Sequence, residues 1–253
     1  MSRGESVNQA TTVTGIILKV TPIGEYDRRV VILTKEMGKI SAFAKGARKP
    51  NSSLVGVTSP FIFGQFTLYE GRSSYTLQSV SVTNYFAELR EDIEKAYYAM
   101  YFMDLVDYYA REHNDEVLSL KLLYQTFRAL TKGTISHLLI RCIYELKLIS
   151  VNGEAPQVSH CVLCGEQKGS MVFSAPKGGI VCEKCIPKLS EKQAVGESTL
   201  YATYYIVTTP IEKIYTFSVT DKVLEELVQI SDRYVEVFIG KQFQSAEMLK
   251  MFK

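Results

Sequence analysis

Four of the five cysteines stand in two short pairs, Cys161-Val162-Leu163-Cys164 and Cys182-Glu183-Lys184-Cys185, with seventeen residues between them. Each CxxC can grip a metal ion from one tight turn, and an intervening segment of this length folds back to bring both pairs onto the same ion. The chemistry on offer is a tetrahedral Zn²⁺ site, one ion per chain. With thiolate in all four positions no coordination site is open to water or substrate, so the expected role is structural. Disulfides are the competing use of the same residues. Against them, the N-terminus carries no apolar signal core, and a chain of 253 residues buries a core without covalent staples. A single CxxC would suit redox work; two at this spacing suit a metal. His160 adjoins the first pair but is superfluous to a complete set, and reads as a loop residue.

The cysteines need elements to hold them. A helix is expected over 136–149, with Leu139, Cys142, Ile143 and Leu146 on one face, which makes Cys142 a buried small hydrophobe and not a fifth ligand. Asn152-Gly153-Glu154-Ala155-Pro156 ends it. Short strands at 171–174 and 179–181 then flank a turn at 176–179 that brings the two knuckles together. The stretch 198–207 is rich in Tyr and Thr and could be strand on propensity, but reads as helix between helical neighbours, and Thr220 is placed to cap a last helix over 221–239 with Leu224, Leu227, Tyr234 and Phe238 on one side. The metal module thus reads as an insertion in a helical domain. Upstream, an apolar stripe of Leu89, Ile93, Ala96, Tyr97 and Met100 predicts a helix within 88–112, and a second follows at 117–132.

A second chemistry lies in the N-terminal third. The net charge of +2 hides a polarised chain: residues 1–87 hold ten Lys/Arg against five Asp/Glu, residues 88–160 eight against eleven, and the remainder eleven of each. Within 28–49 there are seven Lys/Arg and one acid, Glu36. These cations sit among short runs of β character at 12–20, 28–35, 39–45, 61–70 and 74–83, a pattern that fits a small five-stranded barrel. The OB-fold is such a barrel and commonly binds nucleic acid, while an SH3-like barrel would give nearly the same pattern. The stretch Lys45-Gly46-Ala47-Arg48-Lys49-Pro50-Asn51-Ser52-Ser53 reads as a mobile basic loop. Arg28, Arg29, Lys39, Lys45, Arg48 and Lys49 are the candidate phosphate contacts, with solvation of the barrel surface as their alternative use. Phe43, Phe61, Phe63, Phe66, Tyr69 and Tyr75 could stack on bases, although at alternating strand positions most belong in the core. Asp27 is a turn acceptor.

The composition, 46% hydrophobic and 22% charged, is that of an ordinary globular protein, and no apolar run is long enough for a membrane span, so a cytoplasmic location is expected. A zinc-dependent nucleic-acid enzyme is disfavoured. Such sites need an open metal position or a His-x-Glu partner, and none of His113, His137 and His160 has Glu two residues on. An RNA-binding module with a structural zinc remains an alternative, since phosphate contacts do not distinguish the sugars.

The residues Gly15-Ile16-Ile17-Leu18, Gly24-Glu25-Tyr26-Asp27-Arg28, Thr34, Gly38-Lys39, Ala44-Lys45-Gly46-Ala47-Arg48, Ser52 and Pro60-Phe61 resemble the RecO family of bacterial recombination mediators. The likeness continues through Leu146 to Pro156, Phe173, Gly178-Gly179 and the segment 240–249, and so covers nearly the whole chain. It implies an α+β protein: an N-terminal OB-fold domain at 1–87 and a helical domain at 88–253, carrying a zinc module at about 157–190. It also implies a non-enzymatic protein that binds single- and double-stranded DNA and anneals complementary strands. The partners implied are RecR, single-strand DNA-binding protein and, through loading onto coated DNA, RecA.

Overall fold

The computed structural model describes residues 10–71 and 74–252; the polar stretch 1–9 lies outside the described residues. By proximity of Cα atoms the chain divides into two units, Met1–Ala99 with Met103–Tyr124, and Met100–Phe102 with Gln125–Lys253.

In the first unit five strands close a barrel: β1 (Ala10–Ile23), β2 (Asp27–Thr34), β3 (Gly38–Ala44), β4 (Phe63–Glu70) and β5 (Tyr75–Asn84). Their order is β1-β2-β3-β5-β4, with β4 returning to β1 and only the β3–β5 pairing parallel. This is the OB-like arrangement. One long strand makes closure possible: β1 pairs with β4 through Ala10–Ile16 and with β2 through Gly15–Ile23, and a bulge between Ile17 and Lys19 bends it from one neighbour to the other. Gly15 and Gly64 face each other where the strands crowd. A Cβ on Gly15 would sit 2.4 Å from the Leu33 oxygen, and one on Gly64 would sit 2.3 Å from the Ser81 oxygen. The parallel β3–β5 pairing that completes the closure is short, running through Ala42–Tyr75 and Phe43–Thr76. Alternation along β3 sends Ile40, Ala42 and Ala44 inward with Val30, Ile32, Phe66 and Leu77, while Lys39, Ser41 and Phe43 point outward. Phe61, Phe66 and Tyr75 are buried; Phe43, Phe63 and Tyr69 are half-buried.

The basic stretch expected as a mobile loop at 45–53 belongs to a longer 45–62 connection that is tied to the barrel by side-chain hydrogen bonds. Arg28 Nη1 donates to the oxygens of Val55 (3.2 Å) and Thr58 (2.9 Å) and to Thr58 Oγ1 (2.8 Å). Asp27 Oδ1 accepts from the Gly46 amide at 2.7 Å, so it is an acceptor for this distant turn. Leu54 and Ile62 enter the barrel core.

The helix expected over 88–112 is two: α1 (Glu88–Glu91) and α2 (Ile93–Tyr109). Asp92 breaks them, its backbone extended and its Oδ1 accepting from the Lys95 amide at 3.1 Å as an N-cap. The reset splits the expected stripe: Leu89 is buried and Ala96 and Tyr97 are half-buried, but Ile93 is 68% exposed and Met100 is exposed, while Tyr98, Ala99, Phe102, Leu105 and Val106 are buried. From Tyr97 onward α2 is apolar on most sides, and its periodicity does not identify one face.

The second unit is built on α4 (His137–Val151), buried throughout Leu139–Ile149, with α3 (Val117–Lys132) preceding it in the chain. A helix buried on every side must also bury its charges. Arg141 Nη1 lies 2.8 Å from Asp232 Oδ1 and 3.8 Å from Glu145 Oε1; Glu145 also accepts from Tyr101 Oη at 2.6 Å and from Ser231 Oγ. Burial pushes the Glu145 carboxyl up, and Arg141, Ser231 and Tyr101 pull against it without reversing it. Lys147 Nζ donates to Val207 O (2.6 Å) and Thr209 O (2.8 Å), the carbonyls that end α5 (Glu197–Thr208). A three-stranded sheet of β6 (Met171–Ser174), β7 (Gly179–Cys182) and β8 (Gln193–Ala194) stands between α4 and α5 in the chain. Helices α6 (Asp221–Phe238) and α7 (Gln244–Leu249) follow. Thr220 does stand at the N-cap of α6, but its side chain makes no capping bond. Instead a residue of α6 caps another helix: Glu226 Oε2 accepts from the Gly196 amide (2.8 Å) and Thr199 Oγ1 (2.5 Å) at the start of α5.

Candidate metal centre and nucleic-acid face

Cys161 and Cys164 lie on the loop after α4; Cys182 ends β7, and Cys185 lies in the 3₁₀ turn Glu183–Lys188 that follows. The first knuckle is closed by Gly165 N to Cys161 O at 2.9 Å, and it is sewn to the hairpin by Val162 N to Ile180 O at 2.9 Å. The hairpin turns tightly at Gly178, which takes φ +72°, a left-handed conformation that suits glycine. Next to it a Cβ on Gly179 would lie 2.2 Å from Gln157 O, so the chain entering the first knuckle runs hard against the hairpin. Val162, Val181, Met171, Val172 and Leu189 pack around the cysteines.

The four sulfurs lie within 4.8 Å of one another. Cys161, Cys182 and Cys185 are buried and Cys164 is exposed. A tetrahedron with metal–sulfur bonds of about 2.3 Å has edges of about 3.8 Å, so the cluster has the size a metal requires. Cys164 and Cys182 stand 3.5 Å apart, well beyond the about 2.05 Å of a disulfide. The donor set therefore fits one tetrahedral ion with no vacant position. Burial would raise the Cys161 thiol, but backbone N–H groups of Cys182, Leu163 and Cys164 outweigh it and bring it down to about 6. Cys185 is pushed up to about 12, first by burial and then by the neighbouring sulfurs. Four thiolates this close repel unless a cation neutralises them. His160 stays outside the cluster, its Nδ1 3.1 Å from Ser159 Oγ. Cys142 is fully buried in α4, its thiol pushed up by desolvation.

The six candidate cations of the barrel do not share one environment. Lys45, Arg48 and Lys49 are exposed and gather by the β1–β2 turn: the Arg48 amide donates to Tyr26 O (2.8 Å), Arg48 Nη1 to Gly24 O (3.2 Å), and Lys49 Nζ stands 5.5 Å from the Tyr26 ring centre. Arg29 is exposed on β2, its Nε donating to Ser41 Oγ at 2.6 Å. Arg28 is turned into the 45–62 connection. Lys39 Nζ donates to Asp107 O (2.6 Å) and Oδ1 (3.0 Å), and Lys19 Nζ reaches Asp107 Oδ2 at 2.8 Å. Burial alone would raise the Asp107 carboxyl; the two lysines outweigh it and hold it below the usual carboxylate range. Asp107 lies 88 and 68 positions from its lysines, and no local pattern announces it.

Comparison with known proteins agrees with this layout. Residues 9–86 match the family described as Recombination protein O N terminal, and residues 90–247 match Recombination protein O C terminal. The chain is 35% identical over 237 residues to the DNA repair protein RecO of Acetivibrio thermocellus, covering 93% of this chain and 94% of that one. It is 32% identical to that of Alkaliphilus metalliredigens (93% and 97%) and 31% identical to that of Bacillus subtilis (93% and 92%). A closed OB-like barrel, a helical unit with four gathered cysteines, and matches to both halves of one family over nearly the full length lead to one conclusion: the chain belongs to the RecO family of DNA repair proteins.

Proposed function

We propose that the chain is a non-catalytic DNA mediator that binds single- and double-stranded DNA, anneals complementary strands, and with RecR helps load RecA onto DNA coated by single-strand DNA-binding protein. It works in the cytoplasm, at the nucleoid when bound to DNA. The observation that carries the reading is the conjunction of family membership with the exposure of four of the six candidate cations, Arg29, Lys45, Arg48 and Lys49. Annealing requires neutralisation of two phosphate backbones and contacts that tolerate any sequence, and a basic barrel provides both without a catalytic group. Arg28 and Lys39 complete the proposed contact set with smaller shares, because each already has protein partners.

In this reading the domain at 1–87 carries the DNA contacts, and the domain at 88–253 carries a module at about 157–190 held by one Zn²⁺. Cys161, Cys164, Cys182 and Cys185 would hold the ion, which supplies a cross-link between two knuckles and no reactive position. The test is strand annealing of complementary oligonucleotides with and without a matched single-strand DNA-binding protein. Acceleration in both arms is expected; inactivity in both removes the proposal.

A further inference from the structure

On the outer face of the barrel a cleft of about 630 Å³ has Arg29, Ser41, Phe43, Glu70, Tyr75, Glu112 and His113 among its lining residues. Its volume falls within the about 300–1,000 Å³ range of small-ligand pockets. Phe43 is an outward-facing residue of β3, paired across the ladder with Arg29 on one side and Thr76 on the other, and only half-buried. A phenyl ring in that position has a face available for stacking, with a guanidinium beside it.

The charges of the cleft say what would enter. Among the described residues of its lining, two carboxylates, Glu70 and Glu112, face one fixed cation, Arg29. Burial and these two carboxylates together hold the Tyr75 phenol above its ordinary range. The excess of carboxylate makes this lining less favourable to phosphate than the exposed Lys45, Arg48 and Lys49, which are not among its lining residues. Backbone outside and base inside is the division of contacts that single-strand binding requires.

Resting on the DNA-binding reading above, we infer that this cleft is a subsite for one unpaired nucleobase, stacked on Phe43 and read by carboxylates that accept from an exocyclic amine. Cytosine presents such a donor at N4; thymine presents a carbonyl oxygen at the equivalent position, which a carboxylate repels. Duplex DNA keeps its bases stacked within the helix and cannot fill the site.

The chain contains no tryptophan, so Phe43→Trp places a sole indole in the cleft. Its emission should be quenched by an oligo(dC) strand over the concentration range in which anisotropy of a labelled strand reports binding, and not by a duplex of the same length. Phe43→Leu, which keeps apolar bulk without an aromatic face, should weaken single-strand affinity about 5- to 100-fold and leave duplex affinity within about twofold. The unmodified protein should prefer oligo(dC) to oligo(dT), and Glu112→Ala should abolish that preference. Binding by anisotropy with no change in indole emission overturns the subsite while leaving the DNA-binding reading intact. Equal quenching by the duplex, or quenching by oligo(rC) alone, overturns it too. Loss of all DNA binding in the unmodified protein would instead remove the reading on which it rests.

Discussion

In the barrel unit Lys45, Arg48 and Lys49 stand exposed on a fold closed by backbone hydrogen bonds, whereas in the helical unit Arg141, Glu145 and Lys147 are buried on one helix and each holds a structural partner. The two units use charge for different ends. Because ladder pairing and an apolar interior hold the barrel, its exposed cations are available to a ligand. Because α4 is buried on all sides, its charges are fixed by desolvation and cannot be moved without cost. Charge changes in the first unit should therefore alter binding at constant fold, and those in the second should alter fold first.

The largest effect expected is removal of the metal. Structural zinc sites in small modules contribute on the order of 10 kcal/mol of apparent binding free energy, so chelation should unfold the cysteine module. Elemental analysis of protein purified without added metal should find one Zn²⁺ per chain. Cys185→Ser should lose it and lower stability far more than it lowers DNA affinity in the folded fraction. A stable wild-type protein free of metal would break this side of the comparison.

Next comes the buried network. Glu145→Ala removes the acceptor of Tyr101 and Ser231 and leaves Arg141 with only Asp232, a loss of about 3–5 kcal/mol by denaturant unfolding. A loss below about 1 kcal/mol would mean that the helical unit tolerates an unbalanced buried charge as easily as the surface does.

A smaller effect lies where the barrel unit pairs Lys19 and Lys39 with one carboxylate. Asp107 is held below the ordinary carboxylate range, so its contribution is fully present above about pH 4 and is lost as pH falls through its lowered folded value. Asp107→Asn should flatten that acid limb, destabilise by less than about 1 kcal/mol because Lys19 is half-exposed, and raise single-strand affinity about two- to threefold. Weaker DNA binding in this variant would show that Asp107 positions its lysines for DNA and does not neutralise them.

Local signals made much of this legible before the structure. The cysteine spacing pointed to one four-sulfur cluster, and the strand runs pointed to a five-stranded barrel, because both rest on short-range chemistry: a knuckle spans four residues, and strand alternation has a period of two. The helix at 117–132 falls where its apolar period and Gly133 put it. What failed depended on distant partners. The stretch at 45–53 reads as mobile by composition, yet Asp27 and Arg28 tie down the 45–62 connection to which it belongs, and the helix predicted through Asp92 breaks where that side chain turns back to cap its own continuation. Nothing near Lys39 announces Asp107, and nothing near Thr199 announces the Glu226 that caps its helix. Barrel strand order, which selects the OB-like arrangement over other five-stranded barrels, is likewise a matter of long-range pairing.

The central claim is that exposed barrel cations serve DNA while the rest of the charge serves the fold. It is tested most directly by the salt dependence of single-strand affinity in wild type and in the double variant Arg48→Glu, Lys49→Glu. Four to six phosphate contacts predict a log–log slope of about −3 to −4 for the wild type. The double variant should reduce its magnitude by roughly one to two, lower affinity about equally for every sequence, and abolish annealing, with unfolding midpoint and zinc content unchanged. An unchanged slope with annealing intact would contradict the account and move the DNA surface off the barrel.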